Sequence, residues 1–408
     1  MKAGSWPSIC LIYFFGVLAA ASISKIIPLA EVFTRSFGAS PQSFALLISV
    51  VTLPAAVIGA ALGGVIDRIG PGRALVLSAT TGALANILYL FADSMGAFEL
   101  IRVSEGFALV GIFAAAPALI MATTTDKRRV RAMALWSTYT PVGFSSGLLL
   151  AGALASTAQW RGTFVLHGVL FATAAAGGLW LPRVDSMAAS ASKARGDLLA
   201  RVRQLLAGYT DTKLLRLVLA LGSIVIIGFG TSSVLPTYFS HVHGMPIGTA
   251  ASMLAGANLA MILGSVLAGT LLSRGVRARN LFAALAIVGI AAGTTIYIPT
   301  TPLTVAVVVL CVWLASTGAA TATVMAVLPK VVASPQKGAS AAGLISQTSA
   351  LVAFVTPPIW LPIVASNRWQ LLIALVVAGW VCSLLLLPVW NAGFSALEVP
   401  ATSPRGRS

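Results

Sequence analysis

Few residues in this chain can do chemistry, and several of them stand inside long apolar runs. Arg102-Val103-Ser104-Glu105-Gly106 interrupts one such run, with a guanidinium and a carboxylate three residues apart. On a helix that spacing puts both groups on one face, where they can pair. Inside a membrane each charge costs about 2.5–3.5 kcal/mol on insertion scales, and pairing offsets part of that. Two readings fit: a carboxylate that takes up protons or meets a solute, and an ion pair that only holds helices together. An earlier run contains Lys25, Glu31 and Arg35. Lys25 precedes Pro28 and is deep enough either to line a cavity or to be packed away. Glu31 and Arg35 lie near the end of the run, where long charged side chains reach interfacial water. Glu105 is the first choice for a proton carrier, Glu31 the second, with Arg102 as the partner that tunes Glu105. Asn258, Gln347 and Thr348 are polar residues in later runs. They line a pathway or hydrogen-bond between helices, a contact worth about 0.6 kcal/mol on average.

Other chemistries lack their parts. No Gly-x-x-x-x-Gly-Lys-Ser/Thr run is present to cradle a nucleotide, and no acid or metal constellation suits a membrane hydrolase. His167, His241 and His243 are too scattered for a metal cluster, and Cys10, Cys311 and Cys382 have no paired spacing. The sequence therefore points away from an enzyme and calls for no metal and no cofactor.

The elements that position these residues follow from composition. The 408-residue chain is 58% hydrophobic and 9% charged, with mean hydropathy +0.95, which excludes an ordinary soluble domain. Twelve apolar runs, each long enough to cross about 30 Å of hydrocarbon as a helix, lie at 8–34, 42–66, 73–93, 98–122, 132–156, 162–182, 214–239, 248–272, 279–298, 303–329, 339–364 and 369–391. The N-terminus imitates a secretory signal, but its run continues through Pro28 to Phe33 and reads as the first spanning helix.

Net charge of +16 suggests nucleic acid only until its distribution is considered. Alternate loops hold Arg68 and Arg73; Lys127, Arg128, Arg129 and Arg131; Arg183, Lys193, Arg195, Arg201 and Arg203; Arg274, Arg277 and Arg279; and Lys337. The other loops show little beyond Arg35, Arg161 and Arg368. That asymmetry is topological: both termini face the cytoplasm, in a bacterial inner membrane, and no polynucleotide partner is implied.

The chain also repeats itself. Ile27-Pro28-Leu29, Gly38-Ala39-Ser40-Pro41 and Gly63 to Gly70 return as Leu235-Pro236-Thr237, Gly244-Met245-Pro246 and Gly269 to Gly275, and Gln159-Trp160-Arg161 returns as Asn367-Arg368-Trp369. Duplicated halves in a membrane chain form a transporter with its site between them. The expected division is a six-helix bundle at 1–183, a cytoplasmic linker with an amphipathic helix at 184–212, a second bundle at 213–392 and a tail at 393–408.

Two motifs carry a family resemblance. Gly63-x-x-x-Asp67-Arg68-x-Gly70-x-x-Arg73 resembles the signature loop of the major facilitator superfamily, with Pro71-Gly72 where a basic residue is usual. Arg102 to Gly106 resembles its Arg-x-x-x-Gly element of helix four. The resemblance implies an all-α fold of twelve transmembrane helices in two pseudo-symmetric bundles. It also implies an inner gate latch made of Gly63, Asp67, Arg68, Gly70 and Arg73, with Asp126 or Arg131 as partners. The second-half copy has Ser273 in place of Asp67, so the latch is asymmetric. Pro141-x-Gly143-x-x-x-Gly147 is similar in part to the Gly-Pro motif of drug/proton antiporters, but Thr140 replaces its glycine; helix packing explains these small residues equally well. Pro357-Pro358 is expected to break helix eleven near its outer end.

The resulting expectation is a monomeric, proton-coupled secondary transporter of a small organic solute, bedded in membrane lipid and working by alternating access. Efflux by drug or metabolite antiport is preferred. Proton-coupled uptake of a small organic anion, held by Lys25 and Arg102, and lipid transport are the alternatives.

Overall fold

Proline, serine and glycine at the ends of the apolar runs cut the chain into helical rods. The computed structural model describes residues 2–155, 159–182, 211–331 and 335–387, with side chains described except at 60–64, 67, 329, 330 and 335–343. The expected amphipathic linker helix and the tail lie outside the described residues.

Among the described residues twelve rods follow in order. α1 runs Trp6–Ser24, turns through Ile27–Leu29 and resumes as Ala30–Phe37. α2 has the same form: Pro41–Ser49, a turn at Val50–Thr52, then Leu53–Ile69. α3 is Pro71–Leu88 and α4 is Met95–Thr123. α5 divides into Asp126–Trp136 and Tyr139–Leu154, and α6 is Gly162–Gly178. The second half has α7 (Thr212–His243), α8 (Ile247–Asn258 and Ala260–Ser273) and α9 (Ala278–Ile296). It ends with α10 (Leu303–Val331), α11 (Pro335–Ala365) and α12 (Trp369–Leu386). Among the described residues nine rods are long and apolar enough to cross a membrane, and α6 is a shorter apolar helix.

The breaks have local causes. Pro28 cannot donate to the Ser24 carbonyl, so α1 tightens into a 3-10 turn there. Pro141 does the same to the carbonyl of Ser137 and divides α5. Ser40 caps α2 by accepting from Ser43 N at 3.1 Å, with Pro41 in the first helical position. The duplication shows in the backbone: Gly38 and Gly244 end the first rod of each half in the same left-handed conformation, φ 62°.

Pro357-Pro358 corrects one expectation, because α11 runs unbroken through both to Ala365. Trp360, which follows them and is fully buried, lies flat against the α7 backbone at Gly230 and holds the helix to its neighbour.

The halves meet through α2 with α11 and α5 with α8. Toward the end that carries Gly38 and Gly244, one hydrophobic core crosses both halves, from Phe33, Phe98 and Phe164 to Tyr238, Trp313 and Trp360. Toward the end that carries Arg68 and Arg73 the core divides. Ile12, Phe15, Leu75 and Phe171 form a cluster in the first half, while Leu214 with Leu344 and Ala268 with Leu281 form small separate ones in the second. Among the described residues the buried core is continuous across the halves at the Gly38 end and divided at the Arg73 end.

Candidate functional site

At Lys25 the α-helical ladder of α1 ends, with Lys25 N bonded to the Ala21 carbonyl. The next two carbonyls, Ser22 and Ile23, are the orphans of a helix C-terminus. Arg102 on α4 takes them: its NH1 donates to Ser22 O at 2.8 Å and its NH2 to Ile23 O at 3.5 Å. The first segment of α2 ends in the same way, with Val50 N on Leu46 O. Arg102 Nε donates to Leu47 O at 3.1 Å and NH2 to Ile48 O at 3.4 Å. One guanidinium thus caps two broken helices, at the ends where their dipoles are negative. Gly106, one turn further along α4, permits this approach: a Cβ there would collide with the Val51 carbonyl and the Pro54 ring.

The remaining guanidinium nitrogen contact goes to Glu105. Arg102 NH1 lies 2.9 Å from Glu105 Oε2, the expected i, i+3 pair. Oε2 also accepts from the Tyr89 hydroxyl at 2.9 Å, while Oε1 accepts from Lys25 Nζ at 2.6 Å. Lys25 donates further to Asn86 Oδ1 at 2.6 Å and meets His167 Nδ1 at 3.0 Å. His167 Nε2 faces Leu18 O at 3.2 Å. Lys25, Asn86, Tyr89, Arg102, Glu105 and His167 are all fully buried. Three formal charges and a histidine therefore share one buried pocket drawn from α1, α3, α4 and α6.

Asn86, Tyr89 and His167 were not among the expected site residues. Asn86, on α3, and Tyr89, just past its end, lie inside the third apolar run and His167 inside the sixth; a polar group within an apolar run is the signal that singled out Lys25 and Arg102. A histidine weighed only as a metal ligand is easily set aside. Among the described residues no group of three metal-ligating side chains is found.

The other expected residues sit elsewhere. Glu31 and Arg35 pair at 3.0 Å but are 47% and 79% exposed, a geometry in which an ion pair contributes little. With Thr237, Ser240 and His241 they line a recess of about 260 Å³ between the halves at the Gly38 end. Asn258 Nδ2 donates across the halves to Pro141 O at 3.0 Å and Ser145 Oγ at 3.2 Å, and Ser145 Oγ donates back to Ala255 O at 2.8 Å. Gln347 Nε2 reaches Ala56 O of α2 at 3.0 Å. Both residues bridge the halves. Gly143 and Gly147 press on the α1 backbone at Val17 and Ala21. In the Gly63–Arg73 loop, Gly70 turns the chain at φ 84° between α2 and α3, and Arg68 and Arg73 are exposed. The side chains of Gly63 and Asp67 lie outside those described. Asp126 and Arg131 are exposed at the start of α5.

The second half fills the corresponding space with carbon. Near the positions of Arg102 and Glu105, α10 has Leu310 and Trp313, both fully buried. Trp313 packs edge-on to Trp380 at 6.0 Å.

A sequence model of the Major Facilitator Superfamily matches residues 9–357. The chain belongs to that superfamily. It is accordingly a multi-pass integral membrane protein and a secondary transporter of small solutes rather than an enzyme. No curated protein sequence matches it significantly. Solved structures of superfamily members share its fold. A bacterial homologue of the human lysosomal transporter Spinster, inward-facing and unoccupied, aligns with TM-score 0.76 at 17% identity, over 94% of this chain and 98% of that one. The same homologue, inward-facing and occupied, gives 0.67 at 17% identity, over 93% of both chains. A mutant of the nucleoside transporter NupG gives 0.72 at 15% identity, over 93% and 98%. At these identities the likeness is one of fold alone. What sets this superfamily member's first half apart from its second is the charged pocket.

Proposed function

We propose that this protein is a proton-linked exporter of small, largely apolar organic solutes, working by alternating access, with Lys25, Arg102 and Glu105 at its coupling site. The observation that supports this is the asymmetry between halves. Leu310 and Trp313 fill the space in α10 that Arg102 and Glu105 occupy in α4, so the fold does not require charge there. Charge buried in a membrane protein at such cost marks function.

The same geometry supports an apolar cargo over an organic anion. Every Lys25 and Arg102 contact described above goes to a protein acceptor, so neither cation is free for a substrate carboxylate. Loop charge assigns the Arg73 end to the cytoplasm, and on that assignment the parted core faces inward. The Gly63–Arg73 loop then serves as the latch that closes the cytoplasmic end in the opposite state. The linker at 184–212 joins two bundles that rock about the pocket, and the chain works as a monomer in a bacterial inner membrane. One proton moved across 100 mV supplies about 2.3 kcal/mol, which sustains roughly a fifty-fold gradient of cargo.

The test has two steps. Untargeted comparison of metabolites inside and outside overexpressing and deleted cells identifies the cargo. The purified protein, reconstituted in phosphatidylethanolamine/phosphatidylglycerol vesicles, is then given a pH gradient. Cargo should move against its gradient toward the acidic side, and a protonophore should stop it. Transport indifferent to the pH gradient contradicts proton coupling, and movement with the protons contradicts export.

A further inference from the structure

The charged pocket is unbalanced, and the imbalance identifies the group that holds the transported proton. Building on the proton-coupled reading of this site, we propose that the proton rests on Lys25, with His167 as its hand-over partner, while Glu105 stays ionised throughout the cycle.

Hydrogen bonding fixes the loaded state. The three N–H groups of the Lys25 ammonium face three acceptors: Asn86 Oδ1, Glu105 Oε1 and His167 Nδ1. The Asn86 amide is oriented by its Nδ2, which donates to Gly82 O at 2.8 Å. The His167 ring is oriented too. Its Nε2 faces the Leu18 carbonyl, which can only accept, so the ring proton sits on Nε2 and the Nδ1 lone pair faces Lys25. Glu105 receives donors on both oxygens, from Lys25, Tyr89 and Arg102.

Charge then decides between carriers. With Lys25 and Arg102 positive and Glu105 negative, the pocket holds one net positive charge. Protonating Glu105 raises that to two buried cations with no buried anion. Removing a proton from Lys25 leaves the Arg102–Glu105 pair and a net charge of zero. In a buried site the second cycle costs far less, because unpaired buried charge is the expensive state. The groups around Lys25 are Arg102 and Glu105 from α4, Tyr89 from α3 and His167 from α6. The Tyr139–Leu154 segment of α5, packed along α1, has no charged side chain, and α7 and α8 meet the following turn at Ile27–Leu29.

The transfer keeps the network intact. The Nζ–H bond facing His167 breaks, its electron pair stays on Nζ, and Nδ1 takes the proton. The imidazolium then donates from Nδ1 to the amine lone pair and from Nε2 to Leu18. Net charge is unchanged and each hydrogen bond survives, so the proton belongs to the pair. It passes to water when an opening of the halves hydrates the pocket.

Solid-state NMR of protein labelled with nitrogen-15 at its lysine side chains, in phosphatidylethanolamine/phosphatidylglycerol vesicles, tests this directly. One Nζ resonance, absent from Lys25→Arg, should move from the ammonium to the amine position as the buffer is taken from the acidic to the alkaline range. Infrared difference spectra over that range should contain no protonated-carboxyl band that Glu105→Gln removes. If Lys25→Arg does not fold, His167→Gln, which keeps the lysine and an acceptor for it, assigns the resonance by shifting it. A Glu105 carboxyl band that grows on acidification overturns this inference and leaves the coupling site in place. A Lys25 ammonium that never changes, with no Glu105 band, removes the coupling site itself.

Discussion

Lys25 Nζ lies 2.6 Å from Glu105 Oε1, and neither side chain has any exposed surface. The two residues are 80 positions apart, on α1 and α4, so their contact ties the conformation of the pocket to the packing of two helices. A proton gained or lost there changes what holds α1 to α4. On the proton-linked function proposed above, that is the physical content of coupling.

Arg102 is first a structural residue. It caps α1 at Ser22 and Ile23, caps α2 at Leu47 and Ile48, and pairs with Glu105. Arg102→Met leaves four carbonyls without their cap and takes one of two cations from Glu105, which keeps Lys25 and Tyr89, and should destabilise the protein by about 3–5 kcal/mol. Arg102→Lys keeps the charge but not the five-donor fork, and should recover less than half of the loss. Thermal unfolding in detergent measures both; equal midpoints for Arg102→Lys and wild type would remove the capping role.

Gly248 faces the Gly152 carbonyl across the halves at the Gly38 end, with no room for a Cβ. Gly248→Leu should wedge that end apart and favour the conformation closed at the Arg73 end. A cysteine at Thr237, in the recess between the halves, should then react with a hydrophilic maleimide about tenfold faster, the rate change that a 1.4 kcal/mol shift gives. An unchanged rate would mean that the Gly152–Gly248 contact does not gate the recess.

How much of this was legible in the sequence differs from residue to residue. The Arg102–Glu105 pair could be read from its i, i+3 spacing, whereas the first run was read as one helix through Pro28, where the structure has a 3-10 turn. The duplicated turns at Gly38 and Gly244 showed the two halves. What Arg102 does with its remaining donors was not legible, because backbone carbonyls carry no sequence signal. The contacts of Lys25 to Asn86 and His167 span 61 and 142 positions, and only tertiary packing brings such positions together. The prolines of α11 misled for a related reason: Trp360, buried against α7, accompanies a helix that stays continuous through them against local propensity.

The latch reading rests on the Gly63–Arg73 pattern. Asp67→Asn should insert normally, lower transport by about tenfold or more, and raise the accessibility of cysteines at the Arg73 end. Normal transport with an unchanged labelling pattern would leave the loop as a solvated turn.

Topology can be read with two cysteines. After Cys10, Cys311 and Cys382 are replaced by alanine, single cysteines at Ser190 and Gly244 should label from opposite faces of the membrane, Ser190 from the cytoplasm. Labelling of both from one face contradicts the assignment of the Arg73 end to the inside.

The most direct measurement is proton-driven against exchange transport in vesicles containing Glu105→Gln. Without the carboxylate, loading Lys25 would put two cations in the pocket with no anion, so the proton no longer binds. Net accumulation of cargo driven by a pH gradient should fall by about tenfold or more, while exchange of labelled for unlabelled cargo at equal pH continues. Proton-driven accumulation at the wild-type rate would contradict the account, because the Lys25–Glu105–Arg102 pocket would then have no part in coupling.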